Sequence, residues 1–224
     1  PGQSLSDYNI YSKSAWETVP HLMESKIPAL AQRVKDAGIY VTPTNYFFIS
    51  NAGLPQTDEE IKKKPDYNYI PSNLKQEKWK YRESYIKKMA PLASREKYVH
   101  IRKQMVNELW KAGVPLMAGS DSPGFFVVPG FAIHDELKTM VDAGLTPYAA
   151  LQTATVNPAT FLEMNNRTGT IAVGKEADLV LLNKNPLVDI NNTRNIAGVS
   201  SGNSWLNTAD VRKLLEETKN ILGK

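Results

Sequence analysis

The sequence predicts an α/β fold, and three observations carry that prediction. An amphipathic helical pattern ends in an Ala-Gly pair three times, continuous apolar runs follow two of those pairs, and a change of character near Asn165–Thr168 introduces a β-rich tail. Composition allows it: 224 residues with 42% hydrophobic and 22% charged content can bury a substantial core. The net charge of +4, with Lys and Arg spread along the chain, permits an acidic partner without requiring one. The absence of cysteine excludes disulfides and thiolate metal sites. No apolar stretch approaches the ~20 residues of a membrane-spanning helix, so no membrane partner is expected. The opening "PGQSLSDYNIYSKSAW" lacks Met and a signal-peptide pattern and reads like a loop interior. The expectation is that the sequence starts inside a longer protein, which leaves its localisation unreadable.

Each element has its own justification. "ESKIPALAQRVKDAG" sets Ile27, Leu30, Ala31 and Val34 on one helix face and stops at Gly38. "REKYVHIRKQMVNELWKAG" does the same with Tyr98, Ile101, Met105 and Leu109, stopping at Gly113. "HDELKTMVDAG" uses Leu137, Met140 and Val141 and stops at Gly144. After the first two glycines, "IYVTPT" (39–44) and "VPLMAGS" (114–120) read as strands buried on both faces, as in a parallel sheet. Between these units an insertion, about 51–91, is polar, lysine-rich and aromatic; connections of that length usually carry helices of their own and act as lids. Thr146-Pro147 and Asn157-Pro158 each pair a capping residue with proline at the first helical position, predicting two short helices. In the tail, "GTIAVGKEADLVLLNKNPL" reads as strand, Val-Gly turn and a second strand over Asp178–Leu182. "TADVRKLLEETKNILG" reads as a closing amphipathic helix with Val211, Leu214, Leu215 and Leu222 on or near one face. Two regions are predicted, 1–165 and 166–224.

Asp121 is the residue that asks for chemistry. An aspartate where a buried strand ends suits a metal-binding or catalytic carboxylate, and equally a turn cap that accepts the Ser122 amide. Thr42, Thr44 and Asn45 end the other apolar run, either as substrate contacts or as a Thr-Pro turn. Pro123, Gly124, Pro129 and Gly130 bracket "FFVV", an apolar loop after Asp121. His134 follows that loop, as a substrate contact or as a helix-entry residue bonded to Asp135 or Glu136. The insertion interleaves Lys75, Lys78, Lys80, Lys87 and Lys88 with Trp79, Tyr81 and Tyr85. Such interleaving can stack single-stranded nucleic acid, but Glu77 and Glu83 dilute it, and a lid helix with an aromatic inner face is the expectation. No nucleic-acid partner is predicted. Asp178 is assigned a turn-and-strand role, outside the catalytic set.

In order and spacing, "AGVPLMAGSDSP", "VPGFAIHDELKTMVDAGLTPYAALQTATVNPATFLEM" and "GTIAVGKEADLVLLNKNPLVDI" resemble the C-terminal half of a metal-dependent amidohydrolase. The resemblance is to the imidazolonepropionase-like and Xaa-Pro dipeptidase-like branch and covers roughly Ile27 to Val199; the insertion and the closing helix fit loosely. It implies the C-terminal part of a distorted (β/α)8 TIM barrel over 1–165, with "IYVTPT" as strand seven and "VPLMAGSD" as strand eight. It implies part of a small β-sandwich with a closing helix over 166–224. Active sites of such barrels lie at the C-terminal strand ends, where Asp121 falls. The resemblance gives Asp121 both contact with a divalent metal, zinc first, as one or two ions, and the task of shuttling a proton. The substrate implied is a small-molecule cyclic amide or dipeptide whose C–N bond is hydrolysed; by their positions, Thr44, Ser122, Gly130 and His134 are the expected contacts. Such a site also needs an early His-x-His pair and further histidines. This chain has only His21, His100 and His134, in none of the required contexts. The remaining ligands are therefore expected outside the chain, in a missing N-terminal half of the same protein, and the isolated chain is expected to be inactive. Unpaired strand edges leave homo-oligomer formation open. The other reading from the same residues is a catalytically incompetent binding or assembly module.

Overall fold

The computed structural model describes residues 13–52, 57–88, 91–124 and 126–222. The loop reading of the first twelve residues lies outside them. The N-terminal region is helical: α1 (Lys13–Thr18), α2 (Ile27–Asp36), α3 (Asn45–Asn51), α4 (Asp58–Lys63), α5 (Ser72–Lys88), α6 (Leu92–Lys111), α7 (Ala132–Asp142), α8 (Pro147–Thr153) and α9 (Val156–Phe161). The tail holds β1 (Leu179–Leu182), β2 (Ile196–Ser201), β3 (Ser204–Asn207) and α10 (Thr208–Leu222).

The three Ala-Gly stops terminate α2, α6 and α7, with φ of +66° at Gly38, +78° at Gly113 and +114° at Gly144. Glycine closes the helices because, lacking a Cβ, it adopts this left-handed backbone without the strain other L-residues would carry. Their inner faces meet in one core: Ala31, Val106, Leu109, Leu137 and Met140 pack with Val114, Leu116, Leu145, Ala150 and Ile190. The face of α2 is narrower than predicted. Ile27 and Ala31, four apart, are buried, whereas Leu30 is 43% exposed.

The two predicted parallel strands shrink to a single parallel bridge, Val41 to Leu116. Val41 N donates to Pro115 O over 3.1 Å and Met117 N to Val41 O over 2.9 Å. Pro43 and Pro115 have no N–H to extend the ladder. Helices supply partners beside the bridge: Ala118 N donates to Thr153 O over 2.9 Å, and Asn157 Nδ2 to Leu116 O over 2.8 Å. Asn157 is thus not the predicted cap of α9. The helix starts two residues earlier than predicted, at Val156 behind Thr155. The cap at Thr146 is as predicted, its side chain accepting the Ala149 amide.

The insertion carries α4 and α5 with a 3-10 turn, Pro65–Tyr69, between them. α4 opens with a capping box: Thr57 Oγ1 accepts the Glu60 amide at 3.2 Å and Glu60 Oε2 accepts the Thr57 amide at 2.6 Å. α3 has no counterpart in the sequence reading.

In the tail, β1, β2 and β3 form an antiparallel sheet in that order. Gly198 leaves room for the Trp205 ring, which would stand 2.3 Å from an added Cβ. The strand predicted at 169–172 is absent; Ile171 is 88% exposed and Val173 fully so, since nothing among the described residues pairs with them. The 3-10 turn Ile190–Arg194 docks on α7 and buries Ile190 in the main core. α10 lies on β2, β3 and the Pro65–Tyr69 turn, half-burying Val211, Leu215 and Leu222, while Leu214 points outward at 48% exposure. Among the described residues no helix is long and apolar enough to cross a membrane.

Candidate active site at the end of the parallel pair

The segments leaving the Val41–Leu116 bridge stay together. A Cβ on Gly119 would lie 2.6 Å from Thr42 Cγ2 and 3.9 Å from Thr44 Cγ2. Just beyond, both segments adopt left-handed backbone at non-glycine residues, Thr44 at φ 45° and Asp121 at φ 49°. For a β-branched residue this conformation is rare, and such strain persists only where the surroundings impose it. Ser120 and Ser122 hydroxyls meet at 2.7 Å across Asp121. Asp121 itself is exposed, and its carboxylate has no hydrogen-bond or ion-pair partner among the described residues, so it does not cap the Ser122 amide.

Glu136 anchors the backbone just after Thr44, and the sequence reading missed it. It is fully buried on α7, where Oε1 accepts the Asn45 amide at 2.9 Å and Oε2 the Tyr46 amide at 2.6 Å. A carboxylate therefore satisfies the first free N–H groups of α3. Burial raises the Glu136 pKa above the usual carboxylate value, against the two amides and Arg102, which act to lower it. Arg102 completes the clamp: Nη2 donates to Pro43 O at 2.6 Å, Nε to Asn45 Oδ1 at 3.1 Å, and the guanidinium lies 4.0 Å from the Phe48 ring centroid. Asn45 is fully buried within this clamp and does not face a pocket. A readable signal existed, since Glu136 sits midway between Ala132 and Met140 at four-residue spacing, a charge on a buried stripe.

The insertion closes over the loop that follows Asp121. Trp79 packs on Phe126 at 4.4 Å between ring centroids and donates Nε1–H to the Tyr67 hydroxyl at 2.9 Å. Lys78 Nζ donates to Pro123 O at 3.1 Å. Lys64 bonds the Tyr46 hydroxyl and reaches Asp135 at 3.3 Å; Asp135 also pairs with Arg194 at 2.8 Å. These contacts tie the insertion, α7 and the Ile190–Arg194 turn together. They favour the lid reading of the insertion's aromatic face.

The predicted contacts separate into two groups. Thr44, Asp121 and Ser122 gather at the end of the parallel pair. Gly130 and His134 instead line a cavity of about 470 Å³ under α10, which includes none of the first three. His134 Nδ1 lies 2.9 Å from Thr193 Oγ1, so its partner is neither Asp135 nor Glu136. Burial, and then Arg194, push the His134 pKa down, with Asp135 opposing them. His21 is exposed, and His100 Nε2 lies 3.5 Å from Glu24 on the surface. Asp178 accepts the Gly202 amide at 2.9 Å, in keeping with its turn role.

Among the described residues no group of three or more His, Asp or Glu side chains is arranged to hold a metal ion. Asp121 suits a divalent cation as one oxygen ligand, but a catalytic zinc takes about three protein ligands. The donor set of the described residues is incomplete for that ion.

A parallel strand contact wrapped by helices, with a bare carboxylate just past its C-terminal end and a small antiparallel sheet after it, defines a class of mixed α/β proteins. The amidohydrolase family pattern matches residues 15–206, and the chain belongs to that family. It is 35% identical over 66 residues to an adenine deaminase of Ligilactobacillus salivarius (strain UCC118), a stretch covering 30% of this chain and 11% of that protein. It is 38% identical over 82 residues to the ochratoxinase of Aspergillus niger, covering 36% of this chain and 16% of that protein. The crystal structure of a Xaa-Pro dipeptidase with bound methionine in the active site shares the fold, with a TM-score of 0.55 at 21% identity over 78% of this chain and 36% of that one. The chain thus spans a minor part of each relative.

Proposed function

We propose that this chain forms the C-terminal part of a (β/α)8 barrel, with part of a β-sandwich behind it, in a hydrolase that cleaves a C–N bond of a small amide or dipeptide. The observation that carries the reading is Asp121: an exposed carboxylate, without a partner among the described residues, in left-handed backbone where the parallel pair ends. The names of the relatives, a deaminase, an ochratoxinase and a dipeptidase, fit hydrolysis at carbon–nitrogen bonds. Amidohydrolases generally bind divalent metals; such an ion, zinc in this proposal, lowers the pKa of bound water toward neutrality. The other ligands come from segments beyond these residues, in keeping with the small share of each relative that the chain spans.

Asp121 has two tasks in this scheme. It would be one of the residues holding the ion, and its carboxylate would accept a proton from the attacking water and return it to the departing nitrogen. Thr44 and Ser122 flank it as substrate contacts, and α5 shields the loop from solvent. In the polypeptide that carries the remaining barrel segments, Asp121→Asn is expected to lower kcat for a dipeptide or N-acyl amino acid by about 10²–10⁴-fold. Undiminished turnover by that variant removes Asp121 from the chemistry. Stoichiometric zinc and amide turnover by the 224 residues alone would overturn the need for outside ligands.

A further inference from the structure

The cavity under α10 is built from the loop Val128–Phe131, the start of α7, Ile196 of β2 and the Val211–Leu215 face of α10. Its volume of about 470 Å³ falls within the range of small-molecule pockets. α10 begins after the last residue matched by the family pattern, so one wall belongs to this chain and not to the shared pattern. The walls are apolar apart from the side chains of Tyr69, His134 and Thr218.

Two of those three have their hydrogen-bonding sense fixed by neighbours. Thr218 Oγ1 donates its proton to Leu214 O at 2.8 Å and keeps only lone pairs. Thr193 Oγ1 donates its own proton to Ile190 O at 2.9 Å, so in its 2.9 Å contact with His134 Nδ1 it must accept. The hydrogen of that contact therefore sits on Nδ1, and in the neutral ring Nε2 is left as a lone pair. Burial and Arg194 both favour the neutral ring. Nδ1 is turned toward Thr193, which is outside the lining, and Nε2 has no partner among the described residues. The Tyr69 hydroxyl can donate or accept and sets no sign; its ring packs on Phe131 at 4.7 Å.

We propose that this cavity binds a small, neutral, apolar molecule carrying one hydroxyl donor, a phenol in chemical class, whose O–H donates to His134 Nε2. An anion would face two sets of lone pairs with no cationic side chain in the lining. A pure hydrocarbon would leave Nε2 covered and unmet. The proposal stands on these contacts alone and does not depend on the hydrolytic reading.

Titration of the full chain with 4-propylphenol, propylbenzene and 3-phenylpropionate tests it, by calorimetry and by the ¹⁵N shift of His134 Nε2. The phenol is expected to bind at least tenfold more tightly than propylbenzene, the carboxylate more weakly than either, and Nε2 to shift with the phenol only. His134→Phe should make phenol and propylbenzene bind alike, and Leu215→Trp should abolish both by filling the space. Should either variant fail to fold, the wild-type ¹⁵N shift and the phenol-to-hydrocarbon ratio decide the matter. Equal affinity of those two probes in the wild type, or an Nε2 resonance unmoved by the phenol, overturns the proposal.

Discussion

Thr44 shows how a single residue can carry cost and purpose together. Its left-handed backbone, φ 45° and ψ 45°, places a β-branched side chain where L-residues are disfavoured by about 1–2 kcal/mol. Asparagine tolerates that region because its short amide bonds locally. Thr44→Asn should therefore raise the midpoint of urea unfolding, by about 0.5–1 kcal/mol in stability. If Thr44 contacts substrate as proposed, the same change raises KM in the assembled enzyme. A midpoint that falls means the strain is imagined. Nothing in the sequence marks Thr44 as strained, because "TPTNYFF" allows several turns. The residue after it is held from 91 residues away, by Glu136 accepting the Asn45 amide.

At the scale of elements, the joint between α7 and α3 decides how the site is held. Glu136 uses both oxygens, and Gln offers one oxygen and one amide of the wrong sense, so one buried N–H would face another. Glu136→Gln is expected to cost about 1–3 kcal/mol in chemical denaturation. The pH dependence gives a second readout. Because burial raises the folded-state pKa above the ordinary 4.5, the folded chain holds more protons than the unfolded chain between those two values. This group's contribution therefore declines as pH rises through that window and is flat above it, a slope that Glu136→Gln should lack. Unchanged stability and an unchanged slope would show that the two amides find other partners. Helices with strong punctuation were legible: the Ala-Gly stops of α2, α6 and α7 and the Thr146 cap stand where their residues place them. The strands were not. Of the two apolar runs only 114–120 supplies buried residues, Val114 and Leu116; none of 39–44 is buried, Ile39 being 49% exposed, and Pro43 and Pro115 limited the ladder to one bridge. α3 escaped notice because its N-terminus is satisfied by a distant carboxylate instead of a local cap. Asp121 was legible as a carboxylate at a strand end. The separation of His134 from it was not, since Thr193 and α10 lie far along the chain.

For the whole molecule, the main question is what its apolar surface does. The core around Leu116 and Met140 is closed, but the tail is open: Ile171, Val173, Val180, Leu181 and Val188 are all more than half exposed. β1 and β3 are the outer strands of the sheet, and no described residue pairs with their free edges. Exposed apolar residues beside unpaired edges favour association, by strand pairing or by face-to-face packing. The 224-residue chain is therefore expected to self-associate as its concentration rises from low to high micromolar, in light scattering coupled to gel filtration. Val180→Lys on β1 and Val173→Lys in the 167–176 loop should weaken that association. Both side chains are exposed, so unfolding stability should change by no more than about 0.5 kcal/mol. The two routes can be told apart. Strand pairing is lost with the β1 substitution alone, because a lysine on an edge strand discourages a neighbouring strand, whereas face packing responds to both changes about equally. A chain that stays monomeric across the whole range would show instead that α10 and the Arg167–Glu176 ion pair, which holds the 167–176 loop, keep these residues from meeting a second copy.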